Sequence, residues 1–445
     1  MRRKILFLTL GMLLSLPVAR SYAIPSFARQ TGMTCNDCHT FFPELTPVGR
    51  EFKLKGYVST RTDIPKFFIP VAMLATASYT VADQTTTGVA PFDSSNNNGT
   101  DRTNIPQALN FFYGGRIWDN IGAMIQVTYD GPSNAIGMDS SDVRYANTLK
   151  VGGKDLVYGV TVNNNPTFED VWNTSPAWGY PYYASEVANT PTASPLIGGL
   201  GAQVAGVGAY GYFDNMVYAG ASVYRTSKNG ITMPAGASGT PPSTTIKGAL
   251  PYWRLALNHD WSNQSLEIGT FGLYADVEPA GLDHTSPDHI TDVAADAQYQ
   301  FMGKHNFLSG KFTYIHEGQD WAASAPLGIT GNTSDHTDNV KLNGTYGYKG
   351  LPFGDVSGTL GWFYTSGSSD NGIYNTGAQY TGSASGSPNS NGFIIEADYF
   401  PVETVRLGAQ YTIYNKFNGA SDNYDGFGTD ASHNNTLYLY AQVAL

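Results

Sequence analysis

The chain has 445 residues, with 25 Lys and Arg against 36 Asp and Glu, and only 14% of its positions are charged while 13% are aromatic. The acidic balance argues against nucleic acid as a partner, because phosphates demand basic patches. Two cysteines in the whole sequence exclude a disulfide-framework fold.

Residues 1–23 read as a secretory signal peptide: Arg2, Arg3 and Lys4 form the charged end, Ile5 to Val18 the apolar core, and Ser21-Tyr22-Ala23 a small-x-small cleavage site. Its removal takes four basic residues and no acidic ones, so 21 basic face 36 acidic and the net charge is near −15. No other apolar run approaches the roughly 18 residues of a membrane-spanning helix. Low charge, 50 Gly, 29 Tyr, export and no apolar helix together point to an outer-membrane β-barrel, which alternates lipid-facing and lumen-facing side chains. A secreted β-sandwich or propeller is the competing class.

Next comes Cys35-Asn36-Asp37-Cys38-His39. C-x-x-C-H is the spacing at which two cysteines capture the vinyl groups of a c-type haem while the histidine reaches its iron. The alternatives are a Cys35–Cys38 disulfide, a thioredoxin-like redox pair and half a zinc site. The redox pair wants a βαβ context and the zinc site a second ligand pair, neither of which the sequence offers. The expected cofactor is one covalently bound haem c on Cys35, Cys38 and His39. Thr46 and Pro47 then predict the start of a short helix and Gly56 its end. Arg29, Arg50, Lys53 and Lys55 are the nearest basic residues, suited to haem propionates or an acidic partner. The haem segment, 24–66, spans some 43 residues. A chain of about 40 residues rarely folds without staples and can hardly cover two apolar porphyrin faces. The rest of the chain must shelter it.

From residue 67 the pattern is period two. Sixteen segments alternate: 67–82, 106–116, 121–130, 142–151, 154–163, 201–213, 215–226, 249–259, 264–277, 289–302, 305–317, 338–348, 353–366, 391–401, 404–415 and 434–445. Long and short connections alternate strictly, with short turns near 118–120, 152–153, 213–214, 260–262, 303–304, 349–352 and 401–403. That rhythm matches short periplasmic turns and long outer loops. The predicted fold is therefore all-β: a 16-stranded antiparallel transmembrane β-barrel over 67–445, with a short N-terminal haem-binding plug containing helical turns. An open barrel of this size encloses a water-filled channel. The haem segment is expected to enter that lumen from the periplasmic side, facing Arg144, Arg225, Arg254, Lys311, Lys341, Glu396, Asp398 and Arg406.

Ala23-Ile-Pro25-Ser-Phe27-Ala-Arg29-Gln-Thr31-Gly-Met33-Thr-Cys35-Asn-Asp-Cys38-His39, continued through Pro43-Glu-Leu45, Gly49-Arg50-Glu-Phe52-Lys53 and Gly56-Tyr57, resembles the fused monohaem cytochrome-porins of the outer membrane of iron-oxidising bacteria. The match covers roughly residues 23–57; over the barrel the likeness is architectural. The resemblance implies electron transfer of Fe(II):cytochrome c oxidoreductase type, from extracellular Fe(II) to a periplasmic c-type cytochrome, in a protein embedded in outer-membrane lipid. By the same resemblance Cys35 and Cys38 attach the haem and His39 is its proximal ligand. For the sixth position Met73 is the first candidate, with Met33, His259 and His305 as rivals. His284, His289, His316, His336 and His433, with Asp283, Asp288, Asp320, Asp335 and Asp338, lie in or beside outer loops and suit transient Fe(II) docking. A solute-diffusion porin with a structural haem, or a conduit for another extracellular donor or acceptor, is the alternative.

Overall fold

In β1 (Val71–Val81) Ala72, Leu74, Thr76, Ser78 and Thr80 are buried while the residues between them are not. This is period two on a strand with two different faces. The same alternation recurs in a computed structural model of the chain, which describes residues 25–60, 70–83, 101–226, 244–279 and 286–445. After β1 come β2 (Asp101–Trp118), β3 (Ile121–Asp130), β4 (Ala135–Val151), β5 (Lys154–Asn163), β6 (Val204–Phe213), β7 (Val217–Thr226), β8 (Leu250–Asp260) and β9 (Gln264–Glu278). The second half holds β10 (Asp288–Met302), β11 (Asn306–Asp320), β12 (Ser334–Leu351), β13 (Gly354–Gly367), β14 (Ser390–Val402), β15 (Val405–Lys416) and β16 (Thr436–Ala444). A two-residue piece, Thr245–Ile246, prolongs the β8 ladder along β9 past an irregularity, so the ring counts sixteen strands.

Each strand pairs antiparallel with its sequence neighbours, and the ring closes where β1 meets β16 in a register running from Leu74↔Ala444 to Val81↔Leu437. Closure satisfies the backbone groups that an open edge would leave bare in lipid. The polarity is that of a barrel in a membrane. Leu255, Leu257, Ile268, Leu342, Leu360 and Ile395 are exposed outward, whereas Arg144, Arg254, Glu267, Glu396 and Arg406 are buried inside.

The connections largely keep the expected two-beat rhythm. Two or three residues join β2–β3, β4–β5, β6–β7, β8–β9, β10–β11, β12–β13 and β14–β15. The exception is β3–β4: β4 begins at Ala135 instead of 142, so only Gly131–Asn134 separate the strands and the strict alternation fails there. The chain before β1 and the end of β16 lie on the short-turn side. The signal peptide and the boundary at 66/67 fall outside the described residues.

Two segments fill the lumen. One is residues 25–60, with α1 (Pro25–Thr31), α2 (Cys35–Cys38) and α3 (Pro47–Leu54). The other is the 164–203 connection between β5 and β6, which folds inward and buries Phe168, Trp172 and Leu200 completely.

Candidate functional site

The Cys-x-x-Cys-His run is a single helical turn whose ends are tied locally. The Thr34 backbone N–H donates to Asp37 Oδ2 at 2.7 Å, and the His39 N–H donates to the Cys35 carbonyl at 2.8 Å. Thr46 then joins this turn to the next: its N–H donates to the Cys38 carbonyl at 3.0 Å, and its hydroxyl donates to the Asp37 carbonyl while accepting from the Gly49 N–H. The hydroxyl thereby caps α3, which starts on Pro47 as expected. Gly49 brings α3 against α2 so closely that a Cβ there would lie 2.3 Å from the Cys38 carbonyl oxygen. At the far end the Tyr57 N–H bonds the Phe52 carbonyl and the Gly56 N–H bonds the Lys53 carbonyl, a Schellman closure with Gly56 at φ +72°.

The segment is pinned near the short-turn mouth. The Cys35 N–H and the Asn36 amide both donate to the Glu403 carboxylate at 3.4 Å, in the β14–β15 turn. Lys349 Nζ, at the end of β12, donates to the His39 carbonyl at 3.2 Å. Arg50, buried, donates to Gln300 Oε1 at 2.8 Å and Ser265 Oγ at 2.6 Å, and pairs with Asp260 at 3.0 Å. Lys53 Nζ donates to the Asp170 carbonyl at 2.8 Å and sits over the Phe168 and Trp178 rings. Deeper in, Tyr57 Oη donates to Asp142 Oδ2 at 2.7 Å. Arg50 and Lys53, expected near the cofactor, thus serve first to bind the segment to the wall and to 164–203. Arg29 reaches the Val71 carbonyl, and Lys55 pairs with Glu51.

Cys35, Cys38 and His39 border one cavity of about 400 Å³. Phe27, Phe42 and Phe52 line its near side, Leu74, Phe112 and Met124 its wall, and Trp178 and Tyr182 come from the β5–β6 connection. Both cysteines are thiols. Burial, with Asp37 beside it, pushes the Cys38 thiol up to about 11. Burial pulls the His39 imidazole down to about 4, only partly opposed by the backbone groups of Glu44 and Pro43. Such an imidazole is neutral near pH 7, the state in which it ligates a metal. His39 Nδ1 is buried beside the backbone of Pro43 and Glu44, with no hydrogen bond of ordinary geometry. The cavity is lined by aromatic rings together with polar residues such as Gln107, Asn110, Gln126 and Asp139. Its size, within the roughly 300–1,000 Å³ typical of ligand sites, and the two thiols and neutral imidazole on its edge are compatible with a covalently held haem.

The other expected residues separate by strand parity. Met73 shares the outward parity of Val71 and lies opposite the exposed Phe111, whereas Leu74 and Thr76 on the other parity line the cavity. His259 packs on Trp261 and His305 on Tyr348, both away from the cavity. Two thioethers do border it: Met33, 38% exposed, and Met124, 8% exposed on β3. Sequence reading passed over Met124, although it shares the lumen parity of Gln126 and Thr128. Of the lumen charges, Arg144, Arg254, Lys311, Glu396, Asp398 and Arg406 are buried inside and Lys341 shares the lumen parity of Thr337 and Asn343. Arg225 falls instead on the outward parity of Val223. Among the loop residues, Asp288 accepts from Ala323 and Ser324, and Asp335 from the Trp321 indole, so both serve turns. His433 lies 4.0 Å from Asp83. Asp283 and His284 lie outside the described residues.

The connection between the expected strands 154–163 and 201–213, read from the sequence as a long outer loop, runs over residues 164–203 and folds inward. Its Glu169 accepts from Tyr218 and Ser222, Trp172 Nε1 donates to Asn258 at 3.1 Å, and the Thr174 carbonyl accepts from Thr313 at 2.6 Å. The Ile197 N–H reaches Asp292 at 2.9 Å, and the Tyr183 carbonyl accepts from Gln410 at 3.0 Å. These contacts span β7 to β15. The signal was present: forty residues are too many for a structureless connection, and Phe168, Trp172, Trp178, Tyr180, Tyr182 and Tyr183 are too apolar for an exposed one.

No protein-family model and no curated protein matches the sequence. Among solved structures the chain is similar to the outer membrane channel DcaP of Acinetobacter baumannii, at 13% identity over 84% of this chain and 96% of that one, TM-score 0.46. It is also similar to OprB of Pseudomonas putida, at 11% identity over 84% and 94%, TM-score 0.48. An anion-selective porin from Comamonas acidovorans aligns at 10% identity over 84% and 98%, TM-score 0.42. The chain itself is a closed sixteen-stranded antiparallel β-barrel.

Proposed function

We propose that this barrel carries a single c-type haem in its lumen and transfers electrons across the outer membrane, from extracellular Fe(II) to a periplasmic c-type cytochrome. The observation that carries the reading is the shared cavity of Cys35, Cys38 and His39 inside the ring. Cys35 and Cys38 would hold the haem by thioether bonds and His39 would ligate its iron; when bound, the group supplies one-electron exchange at a potential set by its second ligand and by burial. Met33 and Met124 are the two thioethers on hand for that second position, and both replace Met73 as candidates. The chain's own residues do the rest. Phe27, Phe42, Phe52 and Phe112 would give the porphyrin apolar contacts, while residues 25–60 and 164–203 occupy the lumen and would obstruct the passage of ions. Ferric iron precipitates near neutral pH, so a cell gains by importing the electron and leaving the metal outside. Cys38 is half-buried and its neighbour Cys35 is tied to the short-turn mouth through Glu403, which supports approach of the periplasmic partner from that side.

The test is anaerobic stopped-flow mixing of the oxidised protein with Fe(II). Haem reduction within a catalytic turnover time is expected; none would remove iron as the donor. A second reading, a solute-diffusion porin with a structural haem, is favoured by the porins and channels that share the barrel architecture. Planar-bilayer recording separates the two, since porin-level conductance of small ions would favour diffusion over the conduit.

A further inference from the structure

Three strands of the barrel wall, β10, β11 and β12, bring histidines together on the outward face near the long-loop rim. His316 on β11 lies across from Asp338 on β12, and Gly318 across from His336, so the two imidazoles are diagonal neighbours. Their ring centroids are 6.0 Å apart. Between them the wall is bare, because a Cβ on Gly318 would meet nothing within 4 Å. The resulting open depression is bordered by His316, His336, Thr291, Gln319 and Asp320, with His289 at its far edge.

Both rings are held by the same nitrogen. His316 Nδ1 lies 2.9 Å from Asp338 Oδ1, an oxygen that also accepts from Tyr314 at 2.6 Å. A carboxylate already receiving one proton donor fixes His316 as the Nδ1–H tautomer, with its lone pair on Nε2. His336 Nδ1 lies 2.9 Å from Ser368 Oγ, which also accepts from the His336 backbone N–H. A carboxylate accepting from Nδ1–H orients His316 as metal-binding imidazoles are oriented, and Ser368 Oγ can accept from His336 in the same way. Among the described residues no three such ligands already form a group that could hold an ion, so water would complete the coordination.

We propose that His316 and His336 form a two-imidazole docking site for a borderline divalent cation, Fe(II) included, on the outer face of the barrel. Asp338 and Ser368 are its positioning residues. The site does not depend on the haem reading. His316 lies ten residues along β11 from Asn306 at the short-turn end, roughly 33 Å at about 3.3 Å per residue. An ion held there is therefore captured at the rim and is not in contact with the cavity of His39.

The probe is Ni²⁺, which imidazoles bind more tightly than Fe²⁺ in the usual order of divalent metals. Calorimetric titration of the purified full chain in detergent should find one site. The double variant His316→Gln, His336→Gln should weaken it at least about tenfold, and Asp338→Asn should weaken it by about 10–100-fold while both imidazoles remain. His259→Gln, distant on β8, and Cys35→Ser should leave it unchanged. Retained affinity in the double variant would overturn the assignment. So would loss in Cys35→Ser, which would place the ion in the lumen. Heat-modifiable gel mobility of each variant separates lost ligands from a lost barrel.

Discussion

Residues 25–60 and 164–203 occupy the same lumen by opposite means. The first is rich in local ties, helix caps and short backbone bonds, and touches the wall through a few charged side chains such as Arg50 and Glu44. The second has little secondary structure and is held almost wholly by the wall, through Trp172, Thr174, Tyr183 and Ile197. A segment that must present three residues in fixed geometry needs its own internal frame. A segment that only has to fill space can borrow its shape from the barrel.

The sharpest way to break this contrast is at the cysteines. Cys35→Ser should abolish two-point haem attachment yet leave the barrel folded; an unchanged pyridine-haemochrome spectrum would contradict the site. The next effect belongs to the other segment. Trp172→Ala empties a fully buried position and should destabilise the folded chain by about 3–5 kcal/mol, read from urea midpoints with the covalent-haem spectrum retained. Arg50→Ala should loosen only the N-terminal segment, by roughly 2 kcal/mol, below the ~3–5 of a fully enclosed pair because Asp260 is partly exposed. Limited proteolysis within 25–60 would report it, and equal protection in variant and parent would refute it.

The smallest effect is a pH dependence at Lys53. Burial first, and Arg144 second, lower its ammonium from the ordinary 10.5 to about 7. Between those values the released segment binds the extra proton and the docked one does not. Docking therefore strengthens as pH rises through that window, by on the order of 1 kcal/mol per pH unit, and the penalty is fully present below pH 7. Lys53→Met should flatten the slope between pH 7.5 and 8.5, measured by the same proteolysis.

Most strand positions were readable because one face is wet and the other lipid, which writes period two directly into the sequence. The Cys35-x-x-Cys38-His39 spacing is visible in the sequence because it is local, and the structure adds that the three residues border one cavity. The inward fold of 164–203 was not readable, since its partners are scattered over strands from β7 to β15 and no periodicity reports contacts at that separation. Met73 was a different kind of error. The polar set Thr76, Ser78 and Thr80 already identifies the lumen parity of β1, and Met73 is not in it. The same rule applied to β3 would have picked out Met124, in step with Gln126 and Thr128.

The seam between β1 and β16 joins the first strand of the ring to the last one synthesised. Once that seam zips, residues 25–60 and 164–203 are enclosed by a continuous ring of strands. On the proposed function we infer an order of biogenesis: a haem would be ligated before the ring closes, and insertion and sealing would follow. Pulse-chase labelling should find haem on the periplasmic precursor, and precursor that enters the membrane bare should never gain it.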